Sequence, residues 1–284
     1  MNEELLSELD EEELELFMQQ LLDAARKDFR IFWNYCWPDT PIAPHHYEWF
    51  LALRPGEGVP GNPDGHSRVL IIAPRSWGKT AFVIRRVLWE LGHNPDQFIT
   101  IVSCDDGHAT NILAEIARNI ERNDALHEVF PGLWPGDIWQ RTQINVVRNV
   151  MSKDPSVRAA GLFSTGVGGR SHLIIFDDVV AWRTARGLPS LRDQSKQIFH
   201  EVWMNYLLPG GRAMSLCTPW HPRDLNMDLK ASGDWYVWER PALVNEKGEP
   251  DPGGESTWPE VWPTEALLET VSYTHLTLPT TPYV

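Results

Sequence analysis

Cysteine is scarce in this 284-residue chain: Cys36, Cys104 and Cys217 are far apart and never form a C-x-x-C pair. Three cysteines at such spacings exclude a disulfide framework and argue against a cysteine-based zinc site; they read as small buried residues. No run of eighteen apolar residues occurs, so no segment has the length of a membrane span. The opening residues, MNEELLSELDEEELEL, are acidic where a secretory leader is basic. We therefore expect a cytosolic chain without a membrane partner. Base is in short supply too, with 25 Lys and Arg against 39 Asp and Glu, a formal charge of −14. Spread evenly, that deficit would argue against a nucleic acid partner, because phosphate binding rests on positive charge.

What is present points to a folded protein. A hydrophobic fraction of 42% with 23% charged residues suits a globular chain with a sizeable core, and the length allows one large or two ordinary domains. The charge is uneven. Residues 1–15 hold eight carboxylates and no base, which leaves only −6 on the remainder. Leu5, Leu9, Leu16, Phe17 and Leu21 recur at helical spacing there, so an acidic amphipathic segment over 1–30, with a solvated face, is expected. The far end, VSYTHLTLPTTPYV, has no charged side chain. VSYTHLTLPT resembles the in-frame translation of a transposon-type sequencing adapter, so residues 271–284 are expected to be non-native and the natural chain to be longer.

Between those ends, strand and helix alternate. Residues 68–73 (RVLIIA), 98–104 (FITIVSC), 172–176 (HLIIF) and 212–218 (RAMSLCT) are apolar runs that read as buried strands. Helices are expected over 80–92, 107–123, 192–207 and 223–230, and a hairpin from 143–150 with 156–162. Strands written as continuous apolar runs between helices imply an α/β fold: a mostly parallel sheet with helices on both faces.

The chemistry gathers at the ends of those strands. Ala73, Pro74, Arg75, Ser76, Trp77, Gly78, Lys79 and Thr80 follow the first strand and precede a helix, with the spacing G-x-x-x-x-G-K-[ST] and Ala73 in the first glycine position. Such a loop offers backbone N–H groups and a helix N-terminus to phosphate. Gly78 lets the backbone approach, Lys79 reaches the β- and γ-phosphates, and Thr80 offers a hydroxyl to Mg²⁺. A metal-holding acid is then required at the end of a neighbouring strand. HLIIFDD supplies Asp177 for the Mg²⁺ shell and Asp178 to orient or deprotonate the attacking water. At the third strand end, in SLCTPWH, Thr218 and His221 could sense the γ-phosphate; Thr218 could equally cap the turn before the next helix.

These motifs together resemble one family, the ATPase domain of the large terminase subunit of tailed bacteriophages, T7-like and related. APRSWGKT looks like its deviant Walker A with Arg75 inside the loop, HLIIFDDVV like its Walker B, and LCTPWHPRDL like its coupling motif. GLFSTGVGGRSHLIIFDD, with Arg170, resembles the approach to Walker B, and APHHYEWF, with His45 and His46, the segment that helps to hold the adenine. TWPEVWPTEAL resembles the lead toward a nuclease domain. The second Walker B residue is Asp178 where many members carry Glu.

The resemblance implies an ASCE-type P-loop NTPase domain over 31–240 and a linker region over 241–270 toward a nuclease domain that this chain does not encode. It implies ATP and Mg²⁺ as cofactors, with Lys79, Arg75 and Asp178 catalytic and His46 at the nucleotide. It further implies a motor that pumps double-stranded viral DNA into a procapsid, as a homo-oligomeric ring on the portal protein with a small terminase subunit, in the host cytoplasm. ATPase activity without endonuclease activity is expected. Two other readings share the Walker motifs: another P-loop translocase or helicase-like ATPase, and a nucleotide-binding assembly module with little turnover.

Overall fold

Arg68–Ile72 (β1) begins on an exposed arginine and continues as four buried aliphatic residues, too short for a buried helix and rich in β-branching. The computed structural model describes residues 10–53, 65–164 and 168–273. Before β1 lie the helices Glu11–Ala25 (α1), Phe29–Cys36 (α2) and Pro44–Ala52 (α3). After it come Lys79–His93 (α4), Ile99–Ser103 (β2), Asp106–Arg122 (α5), Asp124–Val129 (α6), and the strands Pro135–Trp139 (β3), Gln143–Val146 (β4), Val157–Gly161 (β5) and Ser171–Asp177 (β6). The chain continues through Trp182–Arg186 (α7), Pro189–Ile198 (α8), Leu207–Cys217 (β7), Leu225–Ser232 (α9), Tyr236–Glu239 (β8), a two-residue pair Leu243–Val244 (β9) and Glu255–Ser256 (β10), and Thr264–Tyr273 (α10). Among the described residues, no helix is long and apolar enough to cross a membrane. The adapter-like tail from 274 and residues 1–9 of the acidic segment lie outside the described residues.

The main sheet runs β3-β4-β5-β2-β6-β7-β1-β8. From β5 to β8 every pairing is parallel, while β4 pairs antiparallel with both β3 and β5. The fold class is thus α/β, with the expected hairpin set at one edge. Alternating residues of the central strands feed two cores, as a period of two dictates. Val69, Ile71, Ile101, Leu173, Ile175 and Met214 face the helical layer of α1 to α6. Leu70, Ile72, Val102, Ile174, Phe176 and Cys217 face α7, the 199–203 turn and α9. Aromatic rings dominate the first core, where Phe29 stacks on Phe50 at 4.3 Å and is fully buried; truncating such a ring to Ala costs about 3 to 5 kcal/mol.

One buried ion network pins α4 to the sheet. Glu90 accepts from Arg86 at 2.7 Å and from Arg212, on β7, at 2.7 Å. Burial alone would raise the Glu90 carboxyl, but the two guanidiniums prevail and hold it at about 2. Removing one partner would leave a buried charge uncompensated, at about 3 to 5 kcal/mol.

Four expectations are corrected. β6 is not the neighbour of β1, because β7 lies between them. The helix expected over 192–207 is α8 followed by a π-helical turn, Phe199–Trp203, and a short 3-10 turn; the wider turn seats both Phe199 and Trp203 on the core. β3 and β8 were not foreseen, and β7 starts five residues early, at Leu207. The helix after the third strand end is capped by Asp224, which accepts from Met227 N, and not by Thr218.

Candidate nucleotide site

The carboxyl ends of β1, β2, β6 and β7 meet at one edge of the sheet, the position where open α/β sheets bind ligands. There the chain leaves β1 as a loop, residues 73–78, and enters α4 at Lys79. The loop closes on left-handed backbone: Ser76 has φ +62° and Gly78, the residue before the helix, φ +76°. Position 78 must be glycine for a second reason. A Cβ there would stand 2.5 Å from His46 Nε2.

Lys79 is buried, with its ammonium inside the loop's curve. Nζ donates to Pro74 O at 2.9 Å and Thr218 Oγ1 at 2.8 Å, with Asp178 Oδ2 at 3.9 Å. Thr80 Oγ1 donates to Asp177 Oδ2 at 2.9 Å. Asp177 is fully buried, and its other oxygen, Oδ1, has no hydrogen-bond partner among the described residues. A buried carboxylate oxygen without a donor beside a Thr hydroxyl is the oxygen set a hard cation takes, and Mg²⁺ completes its shell with water and phosphate rather than a protein cage. Among the described residues, no group of three His, Cys, Asp or Glu converges.

Consecutive strand residues point to opposite faces, yet both aspartates face the loop. The reason is the left-handed backbone at Asp178, φ +45°, which ends the alternation. Asp178 Oδ1 accepts from Thr218 N at 3.0 Å. Desolvation lifts the Asp178 carboxyl above its ordinary value, the Asp177 charge adds to the lift, and Lys79 opposes it. A carboxylate raised in this way is suited to accept a proton.

Thr218 joins the parts: it accepts from Lys79, donates its hydroxyl to Ala73 O at 3.4 Å, and fixes Asp178 through its backbone. His221 sits farther along the turn, where Nδ1 accepts from Arg223 N. Arg75 is exposed and lies 4.1 Å over the Trp220 ring. Arg170 is at the opposite, amino end of β6, bound to Asp154 at 2.9 Å; a strand of that length spans about 20 Å.

His46 lies beneath the loop and is buried. Its Nδ1 accepts from Ala43 N, which fixes the proton on Nε2, and Nε2 donates to Trp77 O at 3.0 Å. His45 donates to the same carbonyl at 3.2 Å. Burial first, and for His46 also the neighbouring imidazole, hold them at about 4 and about 3, so both are neutral near pH 7.

Several contacts were invisible in the sequence because topology makes them. Ser103, ending β2, donates to Asp177 O at 2.7 Å. His108, in the first turn of α5, lies 3.7 Å from Asp177, whose carboxylate raises it above its ordinary value; its place just after the end of β2 was the available signal. From the far end of the chain, Trp262 stacks on Trp77 with centroids 6.1 Å apart and donates to Ser76 O at 3.2 Å, while Trp258 meets Trp77 and His45 edge-on.

The fold and loop define the class: an α/β protein whose mostly parallel sheet carries, at its carboxyl edge, a loop that curls around a buried lysine and opens a helix. No protein-family model matches the chain, and no curated protein does. Among solved structures it is similar to the large terminase ATPase domain of Thermus phage P74-26, at 18% identity and TM-score 0.38, over 62% of this chain and 65% of that one. A mutant form of that domain gives 18% and 0.36 over 56% and 63%. It is also similar to S. cerevisiae dbp5, solved with nup159, gle1, ip6 and adp, at 13% and 0.44 over 77% and 52%. The chain spans less than two thirds of the length of these solved chains.

Proposed function

We propose that the protein is an ATP-hydrolysing motor subunit that translocates double-stranded DNA, of the kind that packages phage genomes. The observation that carries the ATPase reading is the convergence of Lys79, Thr80, Asp177, Asp178 and Thr218 on one loop at a helix N-terminus. The loop amides and the α4 N-terminus receive the phosphates, and Lys79 exchanges a loop oxygen for a phosphate oxygen. Thr80 and Asp177 would hold Mg²⁺, which neutralises charge developing on the β- and γ-oxygens when bound. Asp178 accepts a proton from water as its oxygen attacks the γ-phosphorus and the bridging bond to ADP breaks. Thr218 touches both Lys79 and Asp178, so loss of the γ-phosphate would be felt along β7. His45 and His46 serve as the loop's floor. The packaging assignment rests on the ordered motif set, which a helicase-like ATPase shares only in its Walker parts.

ATP turnover by wild type, Lys79→Ala and Asp178→Asn tests this reading. Both variants should lose turnover on the order of 10²-fold or more, with Asp178→Asn still binding nucleotide. Wild-type binding without turnover would favour an assembly module instead. Packaging with matched procapsids separates a terminase motor from another translocase.

A further inference from the structure

The charge deficit of the whole molecule is reversed at one place beside the loop. Between Asp178 and Asp193 the chain carries Arg183, Arg186 and Arg192 and no acid. The fold sets them next to Arg223 and Arg75. Arg75 lies over Trp220, Trp220 meets Trp182 at 6.0 Å, and Arg186 lies 4.6 Å over Trp182. Arg192 and Arg223 line one cleft of about 400 Å³. Among the described residues, none of these five arginines has a carboxylate within ion-pair distance, whereas Lys196 at the cleft's far side is taken by Asp228. Two acids share that cleft, Asp228, which Lys196 holds, and the exposed Asp193, which has no ion pair among the described residues, while Asp224 is buried and spent on the α9 N-terminus, so the arginines outnumber the acids around them. His221 reports the resulting field: burial, then the charges of Arg192, Arg223 and Arg186, depress it, against Asp224 alone. Trp182 and Leu188 are exposed in the same face, at 51% and 68%.

Uncompensated guanidiniums on an acidic protein repel one another, and they are relieved by a polyanion that spans several of them; fork-shaped donors interleaved with indole rings suit a phosphate backbone. We infer that the face formed by Arg183, Arg186, Arg192 and Arg223 with Trp182 is where this protein grips the phosphate backbone of double-stranded DNA. This inference rests on the reading of the protein as a DNA-translocating ATPase and names its contact surface. The face joins the catalytic edge directly: its chain begins at Val179, the residue after Asp178, and Arg223 follows the turn that carries Thr218. A change at the γ-phosphate therefore has a path of a few residues to the DNA grip.

The test compares Arg183→Gln/Arg186→Gln with Arg122→Gln/Arg141→Gln, an equal charge change on exposed arginines at α5 and the β3–β4 turn. The probe is a short mixed-sequence DNA duplex, titrated at several salt concentrations, with DNA-free ATP turnover and thermal midpoint measured alongside. The first pair should weaken duplex binding at least tenfold and flatten the dependence of log K on log salt by about 2, with basal turnover and midpoint unchanged; the second pair should bind as wild type. Unchanged binding by the first pair, or equal weakening by both, overturns the inference while leaving the DNA-motor reading standing. A wild type that binds no duplex at low salt overturns both. If the first pair abolishes self-association instead of DNA binding, the face holds the acidic segment of a second copy and the inference falls.

Discussion

At position 78 the loop requires a residue without a Cβ on two separate grounds, the left-handed φ of +76° and the imidazole of His46 where a methyl would go. Gly78→Ala should therefore lower stability by about 1 to 3 kcal/mol and abolish nucleotide binding, because the loop must shift off the His46 floor. Denaturant unfolding and calorimetry with ADP check both; full-affinity binding by the variant would show that the loop tolerates the shift. Asp178 is the opposite case, a non-glycine residue held at positive φ. Its strain is offset by the bond its N–H donates to Leu216 O and by the Thr218 N–H that its carboxylate accepts, and the turn brings a second carboxylate to face the loop. Spacing alone revealed the pair Asp177 and Asp178, but not the backbone turn that sets both carboxylates toward the loop.

Helix α3 makes the stability of the fold depend on pH. His45 and His46 fold as neutral groups at about 4 and about 3, against an ordinary value near 6.5. Below 6.5 the unfolded chain binds protons that the folded one refuses, so stability is full above that pH and falls as pH drops toward 4. Each histidine contributes about 1.4 kcal/mol per pH unit in that window. Urea midpoints should fall between pH 7 and pH 5, and fall less in His46→Gln; an equal fall in both would remove α3 from the account. The elements that carry the site were legible because each strand is a continuous apolar run ending in its chemistry, as in β1 before the loop and β6 before Asp177. β3 was not, since PGDIW reads as a turn and its proline tolerates only an edge position. Nor was β8, a four-residue strand whose only signal, a Tyr-Val-Trp run, says nothing about pairing with β1. The insertion of β7 between β1 and β6 is likewise a property of chain order in space, which local pattern does not encode.

Across the whole molecule, distant parts of the chain meet at the loop. The acidic opening and the arginine face are separated in sequence and opposite in charge, so a net value of −14 describes neither. Residues 241–273 fold back so that Trp258 and Trp262 close over Trp77 and Ser76. A chain ending at Glu239, after β8, should hold ADP more weakly than the full chain by calorimetry, and restoring the chain through Trp262 should restore most of the affinity. Equal affinity would mean that the tryptophans only shelter the loop. Linkage makes this contact reciprocal: whatever the segment adds to nucleotide affinity, nucleotide must add to the docking of the segment, by the same factor. On that expectation the two indoles would let the occupancy of the loop be felt by the residues that follow them, as a change in how firmly that segment is held.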